Sequence, residues 1–189
     1  MTVPIPANIF RAYDIRGIVG KGLDENIIRL IGRAVASEAL DLGEKCLVVG
    51  ADARLSSPAF AEAMIQGILS TGCNVINIGI APTPLMYFAT HTLNTNSGVM
   101  ITGSHNPRNY NGVKIVLQNN CLAADQITRL KERIMREDFH AGHGTLSAVD
   151  VKADYIKTIC RDIVFKEPYK VVIDCGNGIA ANCAPMLFA

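Results

Sequence analysis

Apolar positions along the chain follow two alternating rhythms. "CLVVGAD", residues 46–52, is a short β-branched run that ends in polar residues, the pattern of a buried parallel strand. "SSPAFAEAMIQGILSTG" then spaces its apolar residues for a helix, with Ser57 as N-cap, Pro58 at the first helical position and Gly72 as the stop. The pair repeats. "CNVINIGI" reads as a strand, and "PTPLMYFATHTLN" as a helix capped by Thr83 with Pro84 just inside. "SGVMITG" and "GVKIVLQ" are further strands, and "AADQITRLKERIMRE" is an amphipathic helix. Ahead of all of these, "DENIIRLIGRAVASEALDLG" predicts a helix that runs from Asp24 to Leu42 and ends at Gly43.

Strands alternating with helices define an α/β fold, a layered α/β/α domain with a mostly parallel sheet. "GVKIV" lies only a loop away from "GVMIT", too close for a crossover helix. That pair should be antiparallel and the sheet therefore mixed. Residues 139–150, "FHAGHGTLSAVD", lose periodicity and are rich in small side chains, so they read as a linker that closes a first domain, 1–150. Beyond it, "VDVKADYIKTICRDIV" predicts a helix and "YKVVIDCGNG" a strand and turn, and this opening echoes "EKCLVVGADAR" as a weak internal repeat. Residues 151–189 are thus the incomplete start of a second, similar domain, because one strand and half a helix cannot bury a core of their own.

Composition narrows the function. The 189 residues carry 18 basic and 17 acidic side chains, a net charge of +1, with no Lys/Arg cluster, which argues against a nucleic-acid binder or a basic membrane-surface patch. No apolar run approaches the roughly 18 to 20 residues that span a bilayer, and prolines interrupt the N-terminus where a signal core would sit. A soluble cytoplasmic protein is the expectation. Six cysteines, with no C-x-x-C among them, mostly occupy apolar runs and read as small buried hydrophobes rather than a zinc or redox motif.

Candidate chemistry concentrates in "MITGSHNPRNYNGVKIV", residues 100–116. Three strand ends, "GADARLSS", "APTP" and "TGSHNPRNYNG", should converge on the carboxyl edge of the sheet, where open α/β sheets bind ligands. Ser104 directly precedes His105, and neighbours on a turn seldom face each other. A serine hydrolase would also want G-x-S-x-G and a histidine from a distant loop, so that reading is disfavoured. A serine that carries a phosphoryl group needs exposure, a nearby Gly, N–H donors and a cation. Gly103, His105, Asn106 and Lys114 supply most of this. The plain alternative is an Asx/Pro turn joining two strands. "CGNGIAA", residues 175–181, fits the spacing of a dinucleotide fingerprint, but its glycines serve equally for a tight strand-to-helix turn.

Taken together, "IFRAYDIRG", "VVGADARLSSPAF", "GIAPTPLMYFA", "TGSHNPRNYNGVKIV" and "VVIDCGNGIA" resemble, in order, segments of the α-D-phosphohexomutases, and more closely the phosphomannomutase/phosphoglucomutase branch than the phosphoglucosamine branch. The resemblance covers essentially the whole chain. It implies an isomerase that moves a phosphoryl group reversibly between the 1- and 6-positions of a hexose phosphate through a hexose 1,6-bisphosphate. Ser104 would be the phosphoserine, and its phosphate one ligand of Mg2+. Lys114 would assist proton transfer or charge at the reacting oxygen, His105 and Asn106 would shape the loop, and Tyr13 and Arg16 would line the site beside the phosphoserine. Hexose phosphate would be the partner molecule.

Two departures accompany the resemblance. Ala51 stands where the family often has Arg, with Asp52 and Arg54 retained. The family's aspartate-bearing metal loop and its sugar-selecting and phosphate-clamping loops have no counterpart within the 189 residues, so the remaining Mg2+ ligands would lie outside them and this piece alone should be inactive or nearly so. The rival reading is a non-catalytic α/β module that binds a phosphosugar or a partner.

Overall fold

A computed structural model describes residues 5–163, 166–167 and 169–189. In chain order the elements are β1 (Ile15–Val19), β2 (Gly22–Leu23), α1 (Glu25–Asp41), β3 (Cys46–Ala51), α2 (Ser57–Leu69), β4 (Asn74–Ile80), α3 (Thr83–Thr92), β5 (Gly98–Ile101), β6 (Tyr110–Leu117), β7 (Asn120–Cys121), α4 (Asp125–Met135), β8 (Leu146–Ala148), α5 (Lys152–Asp162) and α6 (Ala184–Leu187). The sheet runs in the order β2, β1, β6, β5, β3, β4, β8, with β7 on β6. β3 pairs in parallel with β4 and β5, and β4 with β8, whereas β6 runs antiparallel to both β1 and β5. The mixed sheet follows from the short β5 to β6 connection, as the sequence implies.

Strand alternation sends side chains to opposite faces. Leu47, Val49, Val99, Ile101, Val113 and Ile115 pack with α1, α2 and α4 on one face; Val48, Met100 and Val116 pack with α3 on the other. In α1 the buried positions Ile27, Ile28, Ile31, Ala34 and Val35 recur at helical spacing, and Asp24 caps its start by accepting the Ile27 N–H at 2.9 Å. Burying each such Leu, Ile or Val contributes about 1.5–3 kcal/mol. Among the described residues, no helix is long and apolar enough to cross a membrane.

Four local expectations change. Ser56, not Ser57, occupies the N-cap of α2, because the Ser57 hydroxyl is turned inward to Asp52 at 2.5 Å. Pro82 takes the cap position of α3 in place of Thr83, with no side-chain cap bond. Residues 139–150 are not a bare linker, since Leu146–Ala148 form the edge strand β8. Their small residues answer a packing demand: a Cβ on Gly144 would lie 1.9 Å from the Cys73 carbonyl, and one on Gly142 would lie 2.9 Å from Gly72 Cα.

The fourth change is in "YKVVIDCGNG". Residues 169–175 join no strand, and Val171 and Val172 are exposed. A turn at Gly176 and Asn177, both at positive φ, leads into the helical turn Ile179–Asn182 and then α6.

Candidate active site

Parallel β3, β4 and β5 end at one edge of the sheet, which brings their loops together as the spacing implies. Asp52, one residue past β3, organises this edge. Buried to 8% exposure, it accepts from Thr102 Oγ1 (2.9 Å), the Gly103 N–H (3.1 Å), Ser57 Oγ (2.5 Å) and the Arg54 N–H (3.1 Å). Buried carboxylates require such donors. Arg54 then crosses to the 102–110 loop. Its guanidinium donates to the main-chain carbonyls of Ser104 (2.9 Å), Asn106 (2.6 Å), Pro107 (2.7 Å) and Tyr110 (3.0 Å), while its Nε stands 3.3 Å from Asp52. Gly103 is small because a Cβ there would meet Arg54 Nε at 2.3 Å.

Ser104 sits exposed at the loop apex with φ 52°, a left-handed conformation that costs an L-residue about 1–2 kcal/mol. Its N–H donates to Thr102 Oγ1 at 2.9 Å. Contrary to the expectation for sequence neighbours, Ser104 Oγ lies 3.2 Å from His105 Nδ1, since the left-handed turn swings the hydroxyl onto the imidazole. Among the described residues no carboxylate holds the other ring nitrogen, so the pair is not a triad.

A cleft of about 530 Å3 opens beside the loop, lined by Arg11, Ala12, Tyr13, Asp14, Arg16, Asn106, Pro107 and Tyr110. Pairing of Arg16 with Gly112 across β1 and β6 sets its two walls in register. Asp14, 7% exposed, binds Arg16 at 2.6 Å and Lys114 at 3.7 Å. Arg16 also approaches Asn106 Oδ1 at 3.4 Å, and Asn106 Nδ2 donates to the Gly103 carbonyl at 2.8 Å. Tyr13 is 77% exposed over the opening.

Of the residues singled out from sequence, Tyr13, Arg16 and Asn106 therefore share the cleft, and Lys114 reaches it through Asp14. Ser104 and His105 stand on the adjoining loop rather than in the lining. Asp14, Asp52 and Arg54 were not singled out as site residues: each has a near partner in sequence, but what makes them matter is the distant segment they tie in, Lys114 for Asp14 and the 102–110 loop for Asp52 and Arg54; their proximity to strand ends was the available signal. Ala51 is buried to 4% exposure at the end of β3, where its side chain belongs to the core. Asp52 is matched by Arg54, and Asp14 is shared by Arg16 and Lys114. Arg11 and Arg108 add exposed positive charge, so the surroundings favour an anion. Among the described residues, no three His, Cys, Asp or Glu side chains are grouped to hold a metal ion.

Comparison with known proteins agrees with this architecture. Residues 7–141 match the family model described as phosphoglucomutase/phosphomannomutase, alpha/beta/alpha domain I. The phosphomannomutase/phosphoglucomutase of Pseudomonas aeruginosa is 50% identical over 183 residues, which cover 97% of this chain and 40% of that protein. A phosphoglucomutase of Neisseria meningitidis serogroup B is 41% identical over 186 residues, again 97% of this chain and 40% of that protein. A crystal structure of a phosphoglucomutase/phosphomannomutase family protein from Burkholderia thailandensis has a TM-score of 0.94 at 40% identity, covering 98% of this chain and 42% of that one. The chain thus spans about 40% of the length of the curated relatives it matches. With the domain model matched over most of its length, and with the strand-edge loops in place, the chain belongs to the phosphoglucomutase/phosphomannomutase family, of which it carries the α/β/α domain I.

Proposed function

We propose that the complete protein containing this chain is a cytoplasmic hexose-phosphate mutase that uses Ser104 as its phosphoryl carrier. Phosphoserine 104 gives its phosphoryl group to the free hydroxyl of a hexose monophosphate. The bond from phosphorus to Ser104 Oγ breaks, a bond from phosphorus to the sugar oxygen forms, and the proton lost from the sugar hydroxyl is balanced by the one gained at Ser104 Oγ. The resulting hexose 1,6-bisphosphate returns its other phosphoryl group to Ser104, which regenerates the carrier and leaves the isomeric monophosphate. The observation that carries this reading is the exposed Ser104 hydroxyl at a left-handed apex, beside a cleft with a surplus of positive charge. Phosphoryl transfer depends mainly on positioning and charge stabilisation, which such a loop supplies.

The geometry supports a role for each residue. Lys114 offsets charge and assists the proton at the reacting oxygen, with Asp14 fixing its side chain. Arg16 binds substrate phosphate, steadied by Asp14 and Asn106, and Tyr13 covers the opening. His105, beside the hydroxyl, shapes the loop and hydrogen-bonds the serine when it is free of phosphate. Mg2+ would take the Ser104 phosphate as one ligand. The described residues offer no carboxylate cluster to complete its shell, so no step here runs through the ion. We read residues 1–150 as the domain that carries the nucleophile and 151–189 as the opening of a second.

The test is to incubate the complete protein with glucose 1,6-bisphosphate bearing labelled phosphate and to map the peptides. Label is expected on the Ser104 peptide and nowhere in Ser104→Ala, whose turnover of glucose 1-phosphate and mannose 1-phosphate should vanish. Near-normal turnover by Ser104→Ala would remove the serine from the reaction.

A further inference from the structure

On the mutase reading above, we propose that Arg54, anchored by Asp52, is the positioning residue for Ser104. The guanidinium does not hold the loop at one point. It gathers four carbonyls, those of Ser104, Asn106, Pro107 and Tyr110, at 2.6 to 3.0 Å, so the loop is wrapped around a single planar cation. Arg suits this task because its fork presents several donors in fixed directions, which a lysine ammonium does not.

Two consequences follow for the serine. First, the Ser104 carbonyl is drawn inward by Arg54 while its N–H is held by Thr102 Oγ1, itself bonded to Asp52. Both peptide units flanking Ser104 are thereby fixed, and the left-handed φ of 52° is imposed from outside the residue. Second, a planar trans peptide points its N–H opposite to its carbonyl. Drawing in the carbonyls of Ser104 and Pro107 therefore turns the N–H groups of His105 and Arg108 away from the guanidinium, the orientation in which loop amides can receive an anion. Arg54 thus acts on the phosphoryl group through the backbone, without touching it.

The experiment uses Arg54→Ala and Arg54→Lys in the complete protein, with two readouts. One is amide hydrogen exchange across residues 103–110 in the absence of substrate. Arg54→Ala should lose protection there and keep it in β3 and β5; unchanged loop protection overturns the proposal. The other is steady-state kinetics. A serine held about 1 Å out of place should lower kcat on the order of 10²-fold with little change in KM, and added guanidinium ion should restore Arg54→Ala by about tenfold or more while leaving Ser104→Ala dead. Arg54→Lys, which keeps the charge but not the fork, should fall between. Loss of activity that tracks loss of folded protein, with no rescue, overturns positioning in favour of a purely structural role. If the unmutated protein takes no phosphate on Ser104, the mutase reading fails by itself, and the exchange readout still decides whether Arg54 sets the loop.

Discussion

Asn111 shows how much one side chain in the quoted loop does without entering the cleft. It is fully buried, its Nδ2 donates to the hydroxyls of Ser56 and Ser57 at 2.9 and 3.0 Å, and its Oδ1 accepts the Gly112 N–H at 2.8 Å. It ties the start of β6 to the start of α2. Asn111→Ala should therefore destabilise the fold by about 1–3 kcal/mol, the cost of stranding buried polar groups. Urea unfolding measures this, and a change near zero would show that the serines find other partners. At this scale the sequence was legible where chemistry is local. Gly103, Ser104, His105 and Asn106 are neighbours, and the structure sets them together on one loop at the edge of the sheet, as their residue types imply. Arg54 was not legible, because its acceptors are backbone carbonyls some fifty positions away that any residue could supply. Ser57 was misplaced for a different reason: the nearby carboxylate of Asp52 takes its hydroxyl, which cap statistics alone do not reveal.

Among elements, the strap from α4 to β8 departs most from its sequence pattern. Small residues and lost periodicity are common to linkers and to close backbone contact, and here the second cause holds. The strap is fastened to α1 by the His140 N–H on Ser37 Oγ at 3.0 Å and by His140 Nε2 on Asp41 Oδ1 at 2.7 Å, while Phe139 lies under Arg33 at 4.2 Å. Arg133 of α4 joins the same acidic end of α1 through Glu38 and Asp41. The hydrogen bond from His140, then the Arg133 guanidinium, hold the Asp41 carboxyl below its ordinary value of 3.8 against the opposing effect of burial. A depressed carboxylate favours the folded state above its unfolded pKa, and that benefit disappears as pH falls through the folded value. The stability gap between the unmutated protein and Asp41→Asn should accordingly be present at neutral pH and narrow below pH 3.8. Denaturant titrations at a series of pH values check it; a gap that widens on acidification has the wrong sign.

At the scale of the whole molecule, element order was enough to anticipate a layered α/β/α fold and the antiparallel pairing of β5 with β6, since both follow from connection lengths. Sheet order was not readable: nothing local places β1 beside β6 rather than at the other edge. That placement bears on how the molecule comes into being. Arg16 and Asn106, which meet across the cleft, are 90 positions apart. β5 and β6, by contrast, close over the Ser104 loop with little chain between them. Because distant pairings cost more entropy before they are rewarded, they form late. Pulse-labelled exchange during refolding should protect β3, β4, β5 and β6 before β1, and simultaneous protection of β1 would refute the order. On a ribosome β1 must then wait, with only the short β2 beside it, until β6 has emerged. The wall carrying Tyr13, Asp14 and Arg16 arrives after the loop it faces, so anion affinity at this cleft reports the final step of assembly and not the first.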